Sequence, residues 1–302
     1  MRAQKGYSTK IHESFGDRCF TVADIFFMSL IVIVTIYPVY YVLLASVSDP
    51  TAVNSGAFLL TPVNFSLRAY ENVFRESKIV SGYANTLIYT VTGTIIGLTA
   101  SLFAGYALAQ KKLPLRKIIT CFYILPMYFS GGIIPLYVVV RNLNLVNTRM
   151  IVILLGGVSV YNIILIRTFF QNTIPQELYD AAQIDGCGNG RFFFSIVLPL
   201  SKAIISVIAM YLAVGYWNSY YNAMMFLSDM KKWPLQMVLR EILNSTEAAQ
   251  FQDSGNSAAE AAQLAQVVKY GIIVVSAVPL IAVYPFLQRF FIQGVMIGSL
   301  KG

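Results

Sequence analysis

The sequence predicts an all-α protein that crosses a membrane six times. Of its 302 residues, 57% are hydrophobic and only 12% are charged, whereas a soluble domain carries about 25% charged residues. Apolar runs long enough to span a bilayer recur along the chain, and polar segments separate them. Lipid is therefore the expected solvent. The formal charge of +8 is better explained by membrane topology than by nucleic acid, and no nucleic-acid partner is expected.

The apolar runs divide the chain into a polar N-terminal segment over residues 1–21, a transmembrane domain over 22–291 and a polar tail over 292–302. The first run is too long for a cleaved signal peptide. The second is rich in Gly, Ser and Thr, which let helices approach closely in lipid. Pro126, Gly131, Gly132 and Pro135 predict a break in the third. The predicted spans cover residues 22–46, 83–109, 118–140, 150–170, 199–227 and 264–291.

The distribution of basic residues orients these spans. With the N-terminus inside, the inner segments carry more of the 22 Lys and Arg residues than the outer loops do, and the basic clusters nearest the first two spans lie inside. This bias follows the positive-inside rule. It places both termini and the polar segment 173–199 in the cytoplasm, and the loop 228–263 outside.

The segment 173–199 is a polar interruption flanked by apolar runs on both sides. Thr173 and Gln176 have the spacing of a capping box, and Pro175 falls where a first helical turn tolerates proline. Gly186 is a residue at which a helix can end, because glycine accepts the left-handed conformation. The predicted helix has about ten residues, too few to cross a bilayer. It is either a connector on the membrane surface or a docking element.

Read as a whole, this segment resembles the EAA loop of ABC importer permeases, which has the pattern E-A-A, three residues, G, nine residues, I-x-L-P. Every interval is kept, and the one departure is Asp180 in place of Glu. The resemblance implies that the helix docks in a groove of a separate ATPase subunit. The coupling residues it implies are Glu177, Asp180, Ala181, Ala182, Asp185, Gly186, Ile196, Leu198 and Pro199.

The same family implies a type I importer in a bacterial plasma membrane. Its other parts are a second permease subunit, an ATPase homodimer and an extracytoplasmic solute-binding protein, with ATP and Mg²⁺ on the ATPase and no cofactor on this chain. The six-span layout, the pair Trp217-Asn218 and the C-terminal ending resemble the carbohydrate branch, in particular the second maltose-type subunit. In its general style the sequence is also similar to permeases for complex oligosaccharides, including uronic-acid polymers such as alginate fragments. The C-terminal residues that would reach the ATPase are Gly298, Lys301 and Gly302.

Catalytic chemistry is not indicated by the residues themselves. The sequence contains no phosphate-binding G-x-x-x-x-G-K-[ST] motif, and Gly186, Gly188 and Gly190 are interpreted as turn geometry. We find no catalytic set and no metal-ligand spacing, so neither an enzyme nor a metal site is expected. A secondary carrier remains an alternative, although no acid lies in the middle of a predicted span. A stand-alone channel and an importer of peptides or amino acids also remain open.

A path for a sugar would need polar and aromatic side chains within the membrane domain. Aromatic faces stack on sugar rings, and amide groups bond hydroxyls. The alternative interpretations are an aromatic belt at the membrane surface and amide groups that only cross-link helices. The residues proposed for this path are Asn85, Asn162, Trp217, Asn218, Tyr220, Tyr221 and Asn222.

Overall fold

The computed structural model describes residues 14–54, 60–250, 267–282 and 284–285, and every regular element within these ranges is a helix. The helices are α1 (Phe15–Ser46), α2 (Pro50–Asn54), α3 (Arg68–Arg75), α4 (Ser77–Ala109), α5 (Arg116–Tyr128), α6 (Ile133–Asn142), α7 (Arg149–Gly157), α8 (Val160–Thr173), α9 (Gln176–Ile184), α10 (Asn189–Phe192), a π-helix (Phe193–Val197), α11 (Leu198–Leu200), α12 (Lys202–Trp217), α13 (Tyr221–Phe226), a 3₁₀ turn (Met230–Lys232), α14 (Leu235–Gln250) and α15 (Val267–Ala282).

The first helix begins at Phe15, seven residues before the predicted span at residue 22. Asp17 explains part of this, because its carboxylate accepts a hydrogen bond from the backbone N–H of Ser14 at 3.0 Å and so satisfies one donor at the helix start. Only Leu44, Ala45 and Ser46, at the far end of α1, are buried against the rest of the described chain. Before these residues, Tyr40 and Tyr41 also contact the rest of the described chain, and most of the apolar surface from Phe20 to Val39 is exposed.

The second apolar run forms α4, a 33-residue helix that packs against α7, α8, α12 and α14 and so lies at the centre of the bundle. Its predicted small-residue surface is confirmed where α4 meets α7. A methyl group at Gly97 would collide with the backbone carbonyl of Gly157. The two backbones can approach this closely only because neither residue has a side chain.

Three of the predicted spans are bent. Between α5 and α6 the chain turns by 116°, between α7 and α8 by 43°, and between the stretch Asn189–Leu200 and α12 by 82°. The break predicted in the third run is confirmed, because α5 ends at Tyr128, two residues after Pro126, and α6 starts after Gly132. Two straight helices and these three pairs give up to five spans by length and composition, and α15 lies within the sixth predicted run.

The predicted outer loop 228–263 is partly helical, since α14 covers Leu235–Gln250. Its apolar residues Leu235, Val238 and Leu239 are buried in a cluster with Val73 and Ile79. The small-residue segment after residue 250, the end of the sixth predicted span and the C-terminal tail with Gly298, Lys301 and Gly302 lie outside the described residues.

Candidate functional site: the loop 173–199 and the polar residues of the spans

The short helix α9 is amphipathic, and its apolar face lies on the chain's own bundle. Ala182 is buried, and Leu178 and Tyr179 pack beside it against a cluster that includes Phe170, Phe192 and Val197. Leu178 and Ala182 are one turn apart, so they share one face of the helix. These contacts fix the position of α9 relative to the transmembrane helices.

Tyr179 is the residue that ties α9 to its surroundings. Its hydroxyl bonds the side-chain oxygen of Asn189 at 2.9 Å, and its ring meets Phe192 edge-on at 5.3 Å. The ammonium group of Lys112 lies 5.5 Å from the centre of the same ring, within cation–π range. The α4–α5 turn, α9 and α10 therefore meet at this side chain. Sequence reasoning missed it because Lys112 is remote in the chain and the ring contact with Phe192 depends on how the loop folds back.

The opposite face of α9 is uncovered. Glu177, Asp180, Ala181 and Asp185 are exposed, and Ile184 at the end of the helix is 88% exposed. Glu177, Ala181 and Ile184 follow one another at intervals of four and three residues, so they form one stripe. Ile184 was not among the predicted coupling residues. Its apolar character was the available signal, once Leu178 and Ala182 are assigned to the inner face.

The predicted capping box at the start of α9 is wrong. Thr173 is the last residue of α8, Pro175 occupies the N-cap position, and no side chain caps the helix. Proline has no side-chain acceptor, and its extended backbone ends α8 and starts α9 in a sharp turn. Gln176 instead donates from Nε2 to Oδ1 of Asp180 at 3.2 Å, which holds that carboxylate on the outer face.

The predicted end of the helix is confirmed. Gly186 has a φ of +73°, in the left-handed region. The N–H of Cys187 donates to the carbonyl of Ala182 at 2.8 Å, and the N–H of Gly186 donates to the carbonyl of Gln183 at 3.1 Å. These two bonds form a Schellman motif, which satisfies carbonyls that the helix end would otherwise leave free.

Beyond Gly186 the loop returns to the bundle through Phe192, Phe193 and Val197, which are buried. Here the helix widens into a π-helix over Phe193–Val197. Pro199 follows two residues after the π-helix and has no backbone N–H to donate, and a local widening of the helix accommodates the missing hydrogen bond. Of the remaining motif residues, Ile196 and Leu198 are half-buried against the same cluster, and Pro199 is exposed.

Asn85 is fully used within the chain. Its Nδ2 donates to the carbonyls of Lys231 at 2.8 Å and Trp233 at 3.1 Å, and its Oδ1 accepts from Nη2 of Arg149 at 3.0 Å. With both amide protons and the oxygen engaged, Asn85 holds the segment after α13, residues 229–233, against α4. This geometry favours the helix cross-linking interpretation for Asn85. Asn162 is buried within α8.

The structure does not gather the polar residues at the end of α12 into one surface. Trp217 is only 5% exposed, and its Nε1 donates to the carbonyl of Ser276 at 3.1 Å. Asn218 is exposed and donates back to the carbonyl of Val214. Tyr221 is exposed and Asn222 half-buried.

Tyr220 lines a cavity of about 400 Å³ between α14 and α15. The guanidinium of Arg240 lies 4.8 Å from the centre of the Tyr220 ring. Gln236 and Ser276 add polar groups to the same wall. Arg240 was not among the predicted path residues, because it lies in a segment that sequence reasoning assigned to a loop.

Comparisons with known proteins place this geometry in context. Residues 93–297 match the family described as "Binding-protein-dependent transport system inner membrane component". The chain is 36% identical to Protein LplC of Bacillus subtilis, over 97% of this chain and 98% of that protein. It is 35% identical to the polygalacturonan/rhamnogalacturonan transport system permease protein YtcP of the same organism, over 95% and 99%.

Among solved structures, one chain of a bacterial ABC transporter involved in the import of the acidic polysaccharide alginate superimposes with a TM-score of 0.84. It is 28% identical, and the match covers 93% of this chain and 100% of that chain. The helical architecture with its broken spans is thus that of an ABC importer permease. This chain therefore belongs to the family of binding-protein-dependent transport system inner membrane components.

Proposed function

We propose that this chain is one permease subunit of an ATP-driven importer that moves an oligosaccharide into the cytoplasm by alternating access. Its partners would be a second permease subunit, an ATPase homodimer that binds ATP and Mg²⁺, and an extracytoplasmic solute-binding protein. Both termini would lie in the cytoplasm. This chain would bind no nucleotide itself and would transmit the motion of the ATPase to the spans.

The observation that carries this proposal is the two-faced construction of α9. One face is fixed on the bundle through Leu178, Tyr179 and Ala182. The other presents Ile184, an apolar side chain that is 88% exposed, beside acidic residues. A highly exposed isoleucine at the end of a fixed helix is suited to a groove in another subunit. Because the other face of α9 packs on the bundle, a displacement of α9 would be transmitted to α8 and α12.

The test is Ile184→Glu in the reconstituted complex. Burying an isoleucine contributes about 1.5–3 kcal/mol, so a buried charge in its place should weaken association of the ATPase at least tenfold and abolish ATP-dependent uptake. Because Ile184 has few contacts within its own chain, the thermal stability of the isolated permease should not change. Ile184→Leu, which keeps an apolar side chain, is the control and should retain uptake.

Unchanged ATPase retention and uptake in Ile184→Glu would contradict the docking role. Energy-coupling is tested separately in vesicles. Uptake that depends on internal ATP and persists when ion gradients are collapsed supports the importer. Uptake that follows an ion gradient without ATP would instead support a secondary carrier.

For the cargo, we propose an oligosaccharide that carries carboxylates. The relatives' names specify saccharides, and the solved neighbour is described as importing an acidic polysaccharide, which favours sugar over peptide. Within this chain, the cavity beside Tyr220 combines an aromatic ring with the cation of Arg240. A ring can stack on a sugar, and a guanidinium can pair with a carboxylate in a bidentate manner.

Arg240→Gln tests the acidic cargo. Because Arg240 is exposed, an ion pair there is worth up to about 1 kcal/mol. Transport of a uronate oligosaccharide should therefore fall about fivefold, while transport of its neutral methyl ester should not change. Arg75→Gln, which removes an exposed arginine that does not line the cavity, is the matched control. An equal loss for both cargoes would contradict a role in charge recognition.

A further inference from the structure

A second cavity, of about 600 Å³, lies where the basic turn between α4 and α5 meets α8. Four cationic side chains line it: Lys111, Arg116, Lys117 and Arg167. The other lining residues are Thr120, Cys121 and Ile124, and no acidic side chain lines it in the described part of the chain. This cavity is distinct from the exposed face of α9 and from the cavity beside Tyr220.

The positive charge of this cavity is not neutralised within the described residues. There, ion pairs form between Lys78 and Glu241 and between Lys232 and Asp229, and none involves a residue of this cavity. The Nε of Arg167 is buried and has no hydrogen-bond partner among the described residues. A buried guanidinium N–H without a partner is costly, and clustered cations repel one another. A bound anion would accept the hydrogen bond from Nε of Arg167 and would reduce the repulsion between the cations.

The shape of the cavity indicates what kind of anion. Three of the cations lie in the turn and at the start of α5, whereas Thr120, Cys121 and Ile124 follow along α5 into its apolar part. Cys121 and the neighbouring Phe122 and Leu125 are exposed on this helix. A charged end that continues into an apolar wall fits an amphipathic ligand better than an inorganic ion, and better than the carboxylate of a short acidic side chain.

We propose that this cavity binds the phosphate headgroup of an anionic phospholipid, with one acyl chain lying along α5 beside Cys121 and Ile124. Basic pockets between transmembrane helices on the cytoplasmic side are sites of this type. Lys111 and Arg116 also line a smaller cavity of about 290 Å³ that reaches Pro175, Gln176 and Tyr179 at the base of α9. The lipid site is therefore adjacent to the element that couples to the ATPase, and it depends on neither cargo nor ATPase identity.

The test is lipid binding to the purified complex, measured by native mass spectrometry with phosphatidylglycerol and with phosphatidylcholine. Each cation near the membrane surface contributes about a fivefold gain in affinity for an anionic lipid. The double variant Lys111→Gln/Lys117→Gln should lose most of the preference for phosphatidylglycerol, roughly twentyfold. Both side chains are exposed, so this variant should fold. Arg167→Gln, at a half-buried cation whose Nε is buried, is the second test and should also weaken the preference. Lys202→Gln removes an exposed cation that does not line the cavity and should bind as the wild type does.

Alkylation of Cys121, read by peptide mass spectrometry, locates the lipid. Phosphatidylglycerol should slow the reaction of Cys121 severalfold relative to phosphatidylcholine, and the double variant should lose this protection. Cys19, which is exposed on α1, is the internal control. Equal protection by both lipids, or protection by inorganic phosphate alone, would overturn the proposal. So would a Cys121 that is unreactive in the assembled complex in either lipid, since a partner subunit would then cover the cavity.

Discussion

At the scale of single residues, Gly186 has a role that its surroundings do not explain. A side chain added there would meet no atom within 4 Å, so space is not what excludes other residues. The backbone is the constraint, because φ is +73° and an L-residue in the left-handed region is strained by about 1–2 kcal/mol. The Schellman bonds at the end of α9 require that conformation.

We therefore expect Gly186→Val to displace the end of α9, and with it Ile184, without unfolding the spans. Stimulation of the ATPase by loaded binding protein should fall roughly tenfold, while thermal unfolding of the permease should change little. Gly186→Asn is the control, because Asn adopts the left-handed conformation more readily and should retain most activity. Wild-type coupling in Gly186→Val would show that the turn does not position the docking face.

A second residue-scale feature is Asp229, at the start of the segment 229–233 that Asn85 holds against α4. The pKa of its carboxyl lies below the ordinary value, first because the backbone N–H of Lys231 donates to it and also because Lys232 lies 3.5 Å away. Because the pKa is lower in the folded state, the ionised carboxylate stabilises this segment at pH values above the unfolded-state pKa of about 3.9. This contribution to the stability of the segment is lost as the pH falls through the lower pKa of the folded state.

Hydrogen exchange of residues 229–233, corrected for intrinsic rates, should thus be constant between about pH 8 and pH 5 and should rise only below about pH 4. Asp229→Asn, which cannot ionise, should show the faster exchange already at neutral pH. A transition near pH 6 would contradict this account, because it would require a different titrating group.

At the scale of elements, the packing of α4 against its neighbours depends on small residues. Overpacking a tight contact costs about 1–3 kcal/mol, and the contact between Gly97 and Gly157 has no room for a methyl group. Gly97→Val should lower the thermal stability of the permease by several degrees and reduce its yield in the membrane. Gly215→Ala, in α12 where a methyl group meets nothing within 4 Å, should be neutral. Equal stability of the two variants would refute the close approach of α4 and α7.

Bends are the second element-scale feature, and they separate what sequence can predict from what it cannot. The break between α5 and α6 was predictable, because Pro126, Gly131, Gly132 and Pro135 lie within ten residues of one another, and such a cluster of proline and glycine favours the end of a helix. The bend of 82° before α12 occurs at Ser201, and no local signal fixes its angle. That angle is set by the packing of Phe192, Phe193 and Val197 against helices that are distant in sequence.

At the scale of the whole molecule, the sequence was sufficient for the class of fold and for the position of the short helix and its glycine stop in the loop 173–199. Both are encoded locally, in the length of apolar runs and in the spacing around Gly186. The candidate site was less predictable for residues whose role depends on whether the side chain is buried or exposed in the folded protein. Trp217 was expected in the path but is buried against Ser276, and Ile184 was not expected to be exposed. Such assignments depend on which partners the fold brings together, and a linear pattern does not contain them.

The long first helix has a consequence for how the protein is made. Of the 32 residues of α1, only the last three are buried against the described chain, so lipid can cover most of its surface when it leaves the translocon. Insertion of this helix need not wait for the rest of the polypeptide to be synthesised. Its contacts with the rest of the described chain are concentrated between Tyr40 and Ser46, so most of its length can enter the bilayer before its packing partners are made.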